Sequence, residues 1–484
     1  MFFVSDEDSG LERILSSEDA ETTRKKNYRK ELKKPKRFVI SGFQYNGKVN
    51  REFMKNLEKY AEVNDAELIF PAMRGKHIDE DMIPEELEDY EISTRNRPLN
   101  RKIKVQKFDI RPNQIDPLTG LDRFVQDETS AVIAAPKIAQ RSVANSKHKL
   151  PKILMTTGAV THPNYAPRHR INHIAREDHT YGALVVETVN SVQYHFRHLN
   201  ALKNGTFYDL GERFSKGRDP VRERPRAMVL GDWHVGDTDP VVREETFRML
   251  DMYQPERVFL HDIFNGHSIN HWNRGKHVDL YKNRHRLSLP EEIEMVAHEL
   301  EEFTKRAPRT KFYVVASNHD DRLLRYLNEG EFMNETHPYN LKESLELMRD
   351  ILPKNPENGE KERNPLEVGV RKYASKLKNV HFLEEDADFK IGGWQLANHG
   401  HLGANGGRGT KRSIERANGK SITMHSHVPE IFRNMYKGGT STYLDLDYNK
   451  GYSGWMNTHV MLHPNDRPQL VNIIEGQHRR DYPE

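Results

Sequence analysis

Apolar residues in this chain fall into two patterns. One is the short run: "RFVISG" (37–42), "AELIFPAM" (66–73), "AVIAA" (131–135), "KILMTTG" (152–158) and "GALVVETV" (182–189). Each is dense in β-branched or aromatic residues and too short for a helix, so each predicts a strand. The other pattern has helical spacing. In "NREFMKNLEKYAEV" (50–63), Phe53, Leu57, Tyr60 and Ala61 share one face, and "LPEEIEMVAHELEEFTKRA" (289–307) reads the same way. Strands that alternate with helices predict an α/β protein with helices packed on its sheets. Residues 74–130, rich in charge, proline and asparagine, read as a long insertion.

The pattern changes near Pro220. From there each apolar run ends in a polar cluster: "VLGDWHVGD" (229–237), "ERVFLHDIFNGHS" (256–268), "KFYVVASNHDD" (311–321), "WQLANHGHLG" (394–403) and "KSITMHSHVPE" (420–430). Reactive groups of α/β folds gather at strand ends. These ends offer Asp232 and His234, then Asp262, then Asn318, His319 and Asp320, then His399, then His425 and His427. Any one cluster alone reads as an ordinary turn or helix cap. Five in succession are hard to ascribe to chance. Oxygen and imidazole donors suit Mn, Fe, Zn, Ni or Mg and not soft metals. They are too many for one tetrahedral ion, and they fit two ions about 3.5–4 Å apart that share a carboxylate.

In order and spacing, "GDWHVGD", "HDIFNG", "SNHDD", "NHGH" and "HSHVPE" resemble the signature of the calcineurin-like metallophosphoesterases, over roughly residues 225–475. The resemblance implies a metallophosphoesterase-type α/β sandwich, mixed sheets flanked by helices, with an additional N-terminal α/β domain. It implies that Asp232, His234 and His427 hold one ion, that Asn318, His399 and His425 hold a second, and that Asp262 bridges them, with Mn2+ as the family's frequent choice. It makes His319 the general acid or transition-state stabiliser, and Asp320 the acceptor that orients His319 through its other ring N–H. His401 competes with His399, or faces the phosphate instead. Three positions depart from the pattern: His261, Ser317 and Met424 stand where the family usually has glycine.

Composition narrows the rest. The 484 residues contain no cysteine, which excludes disulfides, thiolate metal sites and cysteine nucleophiles. No stretch approaches the roughly 18 apolar residues of a membrane helix, and the start "MFFVSDEDSG" lacks the layout of a signal peptide. A cytoplasmic protein is expected, in the host cytoplasm if the chain is phage-encoded. The net charge is only +3, so any basic surface must be local. Three local basic segments stand out. "RKKNYRKELKKPKR" (24–37) ends a flexible basic arm over 1–37, which reads equally as a solvated tail. "HSINHWNRGKHVDLYKNRHR" (267–286) interleaves Trp272 and Tyr281 with cations, which suits single-stranded nucleic acid or a packed lid. "GHLGANGGRGTKRSIERANGK" (400–420) joins two candidate ligand histidines. Its Thr410 can cap a short helix (411–417), and Arg408, Lys411, Arg412 and Arg416 add charge suited to a phosphate backbone. The expected division is 1–37 arm, 38–220 accessory α/β domain and 221–484 catalytic domain. The expected function is DNA hydrolysis, similar to the family's DNA-repair and phage nucleases and to phage members that degrade host DNA early in infection. The alternatives are a phosphomonoesterase or cyclic-nucleotide phosphodiesterase, and a non-catalytic DNA-binding or scaffold protein on the same fold. Self-association into a homo-oligomer is a base-rate expectation only.

Overall fold

The computed structural model describes residues 35–481 except 74–81, 109, 126–127, 147–148, 167–168, 271–287, 335–336, 355, 360 and 447–448. The arm up to residue 34 and most of the His-rich insert therefore lie outside the described residues. Lys36 and Arg37 do not belong to an arm. They open the strand Lys36–Ile40, and Arg37 is buried, with its Nε 2.7 Å from Glu187 Oε1.

The strands expected from the apolar runs form, as Lys36–Ile40, Ala66–Met73, Ser130–Ile133, Lys152–Thr156 and Tyr181–Thr188. So do the helices Arg51–Asn64 and Leu289–Arg306. Local chemistry sets the helix starts. Asn50 accepts a hydrogen bond from Phe53 N, and Asp239 accepts one from Val241 N ahead of Pro240 in the helix Pro240–Tyr253. At Leu289–Arg306, Ser288 N donates to Glu291 Oε2 at 2.7 Å, and Lys305 and Arg306 occupy the last turn, where cations favour the helix dipole.

Three large sheets, with two small ones beside them, form among the described residues. The first has the strand order Val380–Phe382, Lys311–Val314, Arg257–Leu260, Ala227–Val229, Thr458–Leu462, Pro468–Asn472. Its first four strands run parallel and its last two antiparallel. Side chains alternate across it with period two. Met228, Val258, Leu260, Phe312, Val314 and Met461 face the helices, where they meet Phe247, Leu300 and Phe303. Ala227, Val229, Phe259, Val315, Val460 and Leu462 face the other way, onto Trp394, Ile422, Ile431 and Tyr436 of the second sheet. Two sheets thus close on one apolar layer, with helices outside the first.

The second sheet has ten strands, and its order runs from the C-terminal half straight into the N-terminal half. The joint is antiparallel pairing of Glu430–Phe432 with Gln140–Val143, in the register Glu430↔Arg141 and Ile431↔Gln140. The third sheet, built from residues 36–201, stacks on the N-terminal part of the second through Phe38, Ile40, Leu184 and Phe196 against Ile103, Val132 and Met155. Residues 74–130 are not a mere insertion. Glu91–Ser93 extends the third sheet, and Arg97–Pro98 and Ile103–Gln106 form the edge of the second. A buried polar network ties the chain ends together. Arg197 pairs with Asp209 (2.6 Å) and Glu187 (3.0 Å), Gln469 Nε2 donates to Asp209, and Arg480 N donates to Glu187.

Candidate metal centre

The strand ends of the first sheet and two loops of the second, after Trp394–Gln395 and after Lys420–Thr423, converge where the sequence places its polar clusters. Asp232 and His234 follow Ala227–Val229, Asp262 follows Arg257–Leu260, and Asn318 begins the helix Asn318–Asn328 after Lys311–Val314. His425 and His427 follow Lys420–Thr423 of the second sheet. Trp233, between the first two candidates, points the other way. It is fully buried against Phe303 and donates its Nε1–H to Glu299, so Asp232 and His234 share the opposite face. Adjacent loops brace each other through backbone bonds from His234 N to Asp262 O (2.7 Å) and from Met424 N to His399 O (2.9 Å).

Gly231 has a visible reason. A Cβ there would lie 2.8 Å from Thr458 O and 2.9 Å from Thr440 C, so only glycine lets the loops approach this closely. Four of the candidate ligands, His234, Asp262, His425 and His427, have φ between 44° and 73°. Such left-handed backbone is uncommon outside glycine, and its strain is characteristic of functional sites.

The donor atoms lie close together. Asp262 Oδ2 is 3.1 Å from His399 Nε2 and 3.6 Å from His234 Nε2. Asp232 Oδ2 is 3.2 Å from His427 Nε2, which is 3.4 Å from His234 Nε2. Asn318 Oδ1 is 3.0 Å from both His399 Nε2 and His425 Nδ1. Asp262 belongs to three groupings able to hold a cation, with His234 and His319, with His399 and His425, and with Asp232 and His427.

Electrostatics agree with this donor chemistry. Burial pushes His427 and His425 down to about 4, and it pushes His234 well down. These rings are neutral at pH 7, the form that donates a lone pair. Burial pushes the Asp232 carboxyl up and resists ionisation of Asp262 as well, but the surrounding histidines, His399 first, hold Asp262 well below its usual value. Asp262 Oδ1, His234 Nδ1 and His427 Nδ1 are buried without a hydrogen-bond partner. A stranded carboxylate oxygen is costly in a protein interior, and a divalent cation would satisfy it. The donor set therefore fits such ions.

No family model matches the chain. No solved structure matches it. The chain is similar to "Protein A1" of Escherichia phage T5, at 28% identity over 472 residues, covering 92% of this chain and 83% of that protein. The similarity spans both halves and is not confined to the metal centre.

The structure revises three roles read from the sequence. Asp320 does not take the second ring N–H of His319. That Nδ1 lies 2.7 Å from the backbone oxygen of Asn265, while Asp320 N donates to Ser317 Oγ and Asp320 Oδ1 is buried without a partner. Successive helix positions do not face each other, so the side chains of His319 and Asp320 diverge. His399, and not His401, reaches Asp262, whereas His401 faces Asp321 and Glu385. Lys411 is half-buried and paired with Glu430, so its charge is neutralised within the protein. Arg408, Arg412 and Arg416 are exposed, and the helix Lys411–Asn418 forms with Thr410 as its cap.

Other contributors were not evident from the sequence. His261, at a usual glycine position, stacks on His399, and the two Nδ1 atoms are 3.3 Å apart. With a proton on His399 Nδ1 donated to His261, the Nε2 lone pair faces Asp262 and Asn318. Ser317, at the second departure, is the N-cap of the helix that carries Asn318. Met424, at the third, fills the apolar layer between the sheets. Asp237 accepts from Asn265 Nδ2 (2.7 Å) and lies 2.8 Å from His267 Nε2, so it holds the residue that orients His319. "GDWHVGD" and "HDIFNGHS" contain these side chains, but sequence spacing does not show that they meet.

Proposed function

We propose that the chain is a two-metal phosphoesterase of the calcineurin-like kind and that it hydrolyses phosphodiester bonds of DNA. The observation that carries this reading is the place of Asp262, whose carboxylate stands 3.1 Å from His399 and 3.6 Å from His234, between two sets of oxygen and imidazole donors. Asp232, His234 and His427 would hold one ion, and Asn318, His399 and His425 the other. Two divalent cations, Mn2+ first among Mn2+, Mg2+, Zn2+, Fe2+ and Ni2+, supply neutralisation of phosphate oxygens and acidify water toward neutral pH.

The chain's own residues supply the rest. The Nδ1–H of His319 is fixed on the Asn265 carbonyl in either protonation state, so the ring can exchange a proton only through Nε2, on the side of His234 and Asp262. Burial holds His319 below its ordinary value, so the doubly protonated ring is the minor form at pH 7; that form donates its Nε2 proton to the departing oxygen or hydrogen-bonds the charge that builds on the phosphoryl group. The segment between His399 and His425 carries exposed Arg408, Arg412 and Arg416, which favours a polyanion over a small ester. Similarity to a phage protein along most of both chains agrees with a phage origin.

The test incubates the protein with Mn2+ and supercoiled, linear and single-stranded DNA, alongside p-nitrophenyl esters, with EDTA and His319→Ala controls. DNA cleavage abolished by EDTA is the expected result. Ester turnover with intact DNA would favour the phosphomonoesterase or cyclic-nucleotide phosphodiesterase instead. Metal binding with neither activity would favour the binding protein.

A further inference from the structure

We propose that His401, Asp321 and Glu385 form an additional divalent-cation site beside the pair. Its catalytic role rests on the function proposed above; its existence does not.

His401 follows His399 by two residues, and its ring lies 5.4 Å from that of His399 and 5.9 Å from that of His425. Asp321 comes from the first turn of Asn318–Asn328, and Glu385 from the turn after Val380–Phe382. The three donor atoms fall within 4.8 Å of one another. His401 Nε2 is 3.5 Å from Asp321 Oδ2 and 3.7 Å from Glu385 Oε1. These separations are too long for hydrogen bonds, and both ring nitrogens of His401 are buried without a hydrogen-bond partner. Two donors about 2.1 Å from one ion, at a tetrahedral angle, lie ~3.4 Å apart. The separations at His401 therefore approach those of a shared cation, and they match the 3.6 Å between His234 and Asp262.

Charge points the same way. Burial pushes the Glu385 carboxyl up, and Asp321 adds to it, as expected for like charges sharing a space. Without a cation these carboxylates would repel a phosphate approaching His401. An ion held there would cancel that repulsion. A cavity of about 230 Å³, lined by Glu385, His399, His401 and Gly403, leaves room for waters to complete its coordination. One imidazole and two carboxylates suit Mn2+, Mg2+ or Zn2+.

Equilibrium dialysis of the metal-stripped full chain against Mn2+, with metal counted by mass spectrometry, tests the site without reference to activity. The wild type should bind one equivalent more than an Asp321→Asn/Glu385→Gln variant, and Asp262→Ala should lose the pair while keeping that extra equivalent. Glu385→Gln alone, at a half-exposed position, repeats the test should the double variant melt early. Equal stoichiometry in the wild type and the folded variants overturns the proposal. Full stoichiometry in Asp262→Ala would instead overturn the two-metal reading while leaving this site standing.

Discussion

Replacing His319 with alanine separates proton transfer from metal binding. The side chain has one hydrogen bond that supports the fold, from Nδ1 to the Asn265 carbonyl at 2.7 Å. Losing such a bond costs about 1 kcal/mol, small beside the roughly 5–15 kcal/mol that keeps a domain folded. A positioned proton donor contributes about 10²–10⁴-fold in rate, or ~2.7–5.4 kcal/mol of barrier. His319→Ala should therefore melt within a few degrees of the wild type, retain its Mn2+, and hydrolyse bis-p-nitrophenyl phosphate and DNA at least about 100-fold more slowly. The competing role is specific: the same ring falls within 4.8 Å of donor atoms of His234 and Asp262, so it could itself be a ligand. Metal counting and turnover on one preparation decide between the two. Activity within about threefold of wild type refutes the proton-transfer role. Loss of metal together with activity also refutes it, by making His319 part of the cation's shell.

Asp262→Ala should abolish binding of the central pair of ions. Mn2+ at 100 times its dissociation constant should stabilise the wild type by about 2.7 kcal/mol per bound ion in thermal melts, and the variant only by the share of the His401 site. Gly231→Ala forces a methyl group against the Thr440 and Thr458 backbones beside Asp232 and should cost about 1–3 kcal/mol with weakened metal binding, read by melting and dialysis. Arg412→Ala/Arg416→Ala should leave small-ester hydrolysis unchanged and weaken DNA binding, with the salt slope reduced by about one for each phosphate that an arginine no longer neutralises. Asp209→Ala takes one of two carboxylate partners from the buried Arg197 guanidinium, so urea unfolding should register a loss of about 3 kcal/mol with unchanged metal stoichiometry.

By itself the sequence determined the local elements and the inventory of donors. The short apolar runs and the helical apolar spacing forecast strands such as Lys36–Ile40 and Tyr181–Thr188 and the helix Leu289–Arg306, because such patterns are a local property of the chain. The polar clusters were equally legible, since each directly follows an apolar run. Tertiary structure decided what those clusters touch. It gave the orientation of His319 to the Asn265 carbonyl and withheld it from Asp320, turned His401 toward Asp321 and Glu385, and placed His261 against His399. It also passed one sheet across the expected boundary at residue 220 by pairing Glu430 with Arg141, nearly 300 positions apart in the chain. The physical reason is range. Whether a residue is buried in a strand or helix depends on neighbours a few positions away, whereas the partner of a side chain at a strand end is set by how distant loops pack, and no spacing along the chain encodes that.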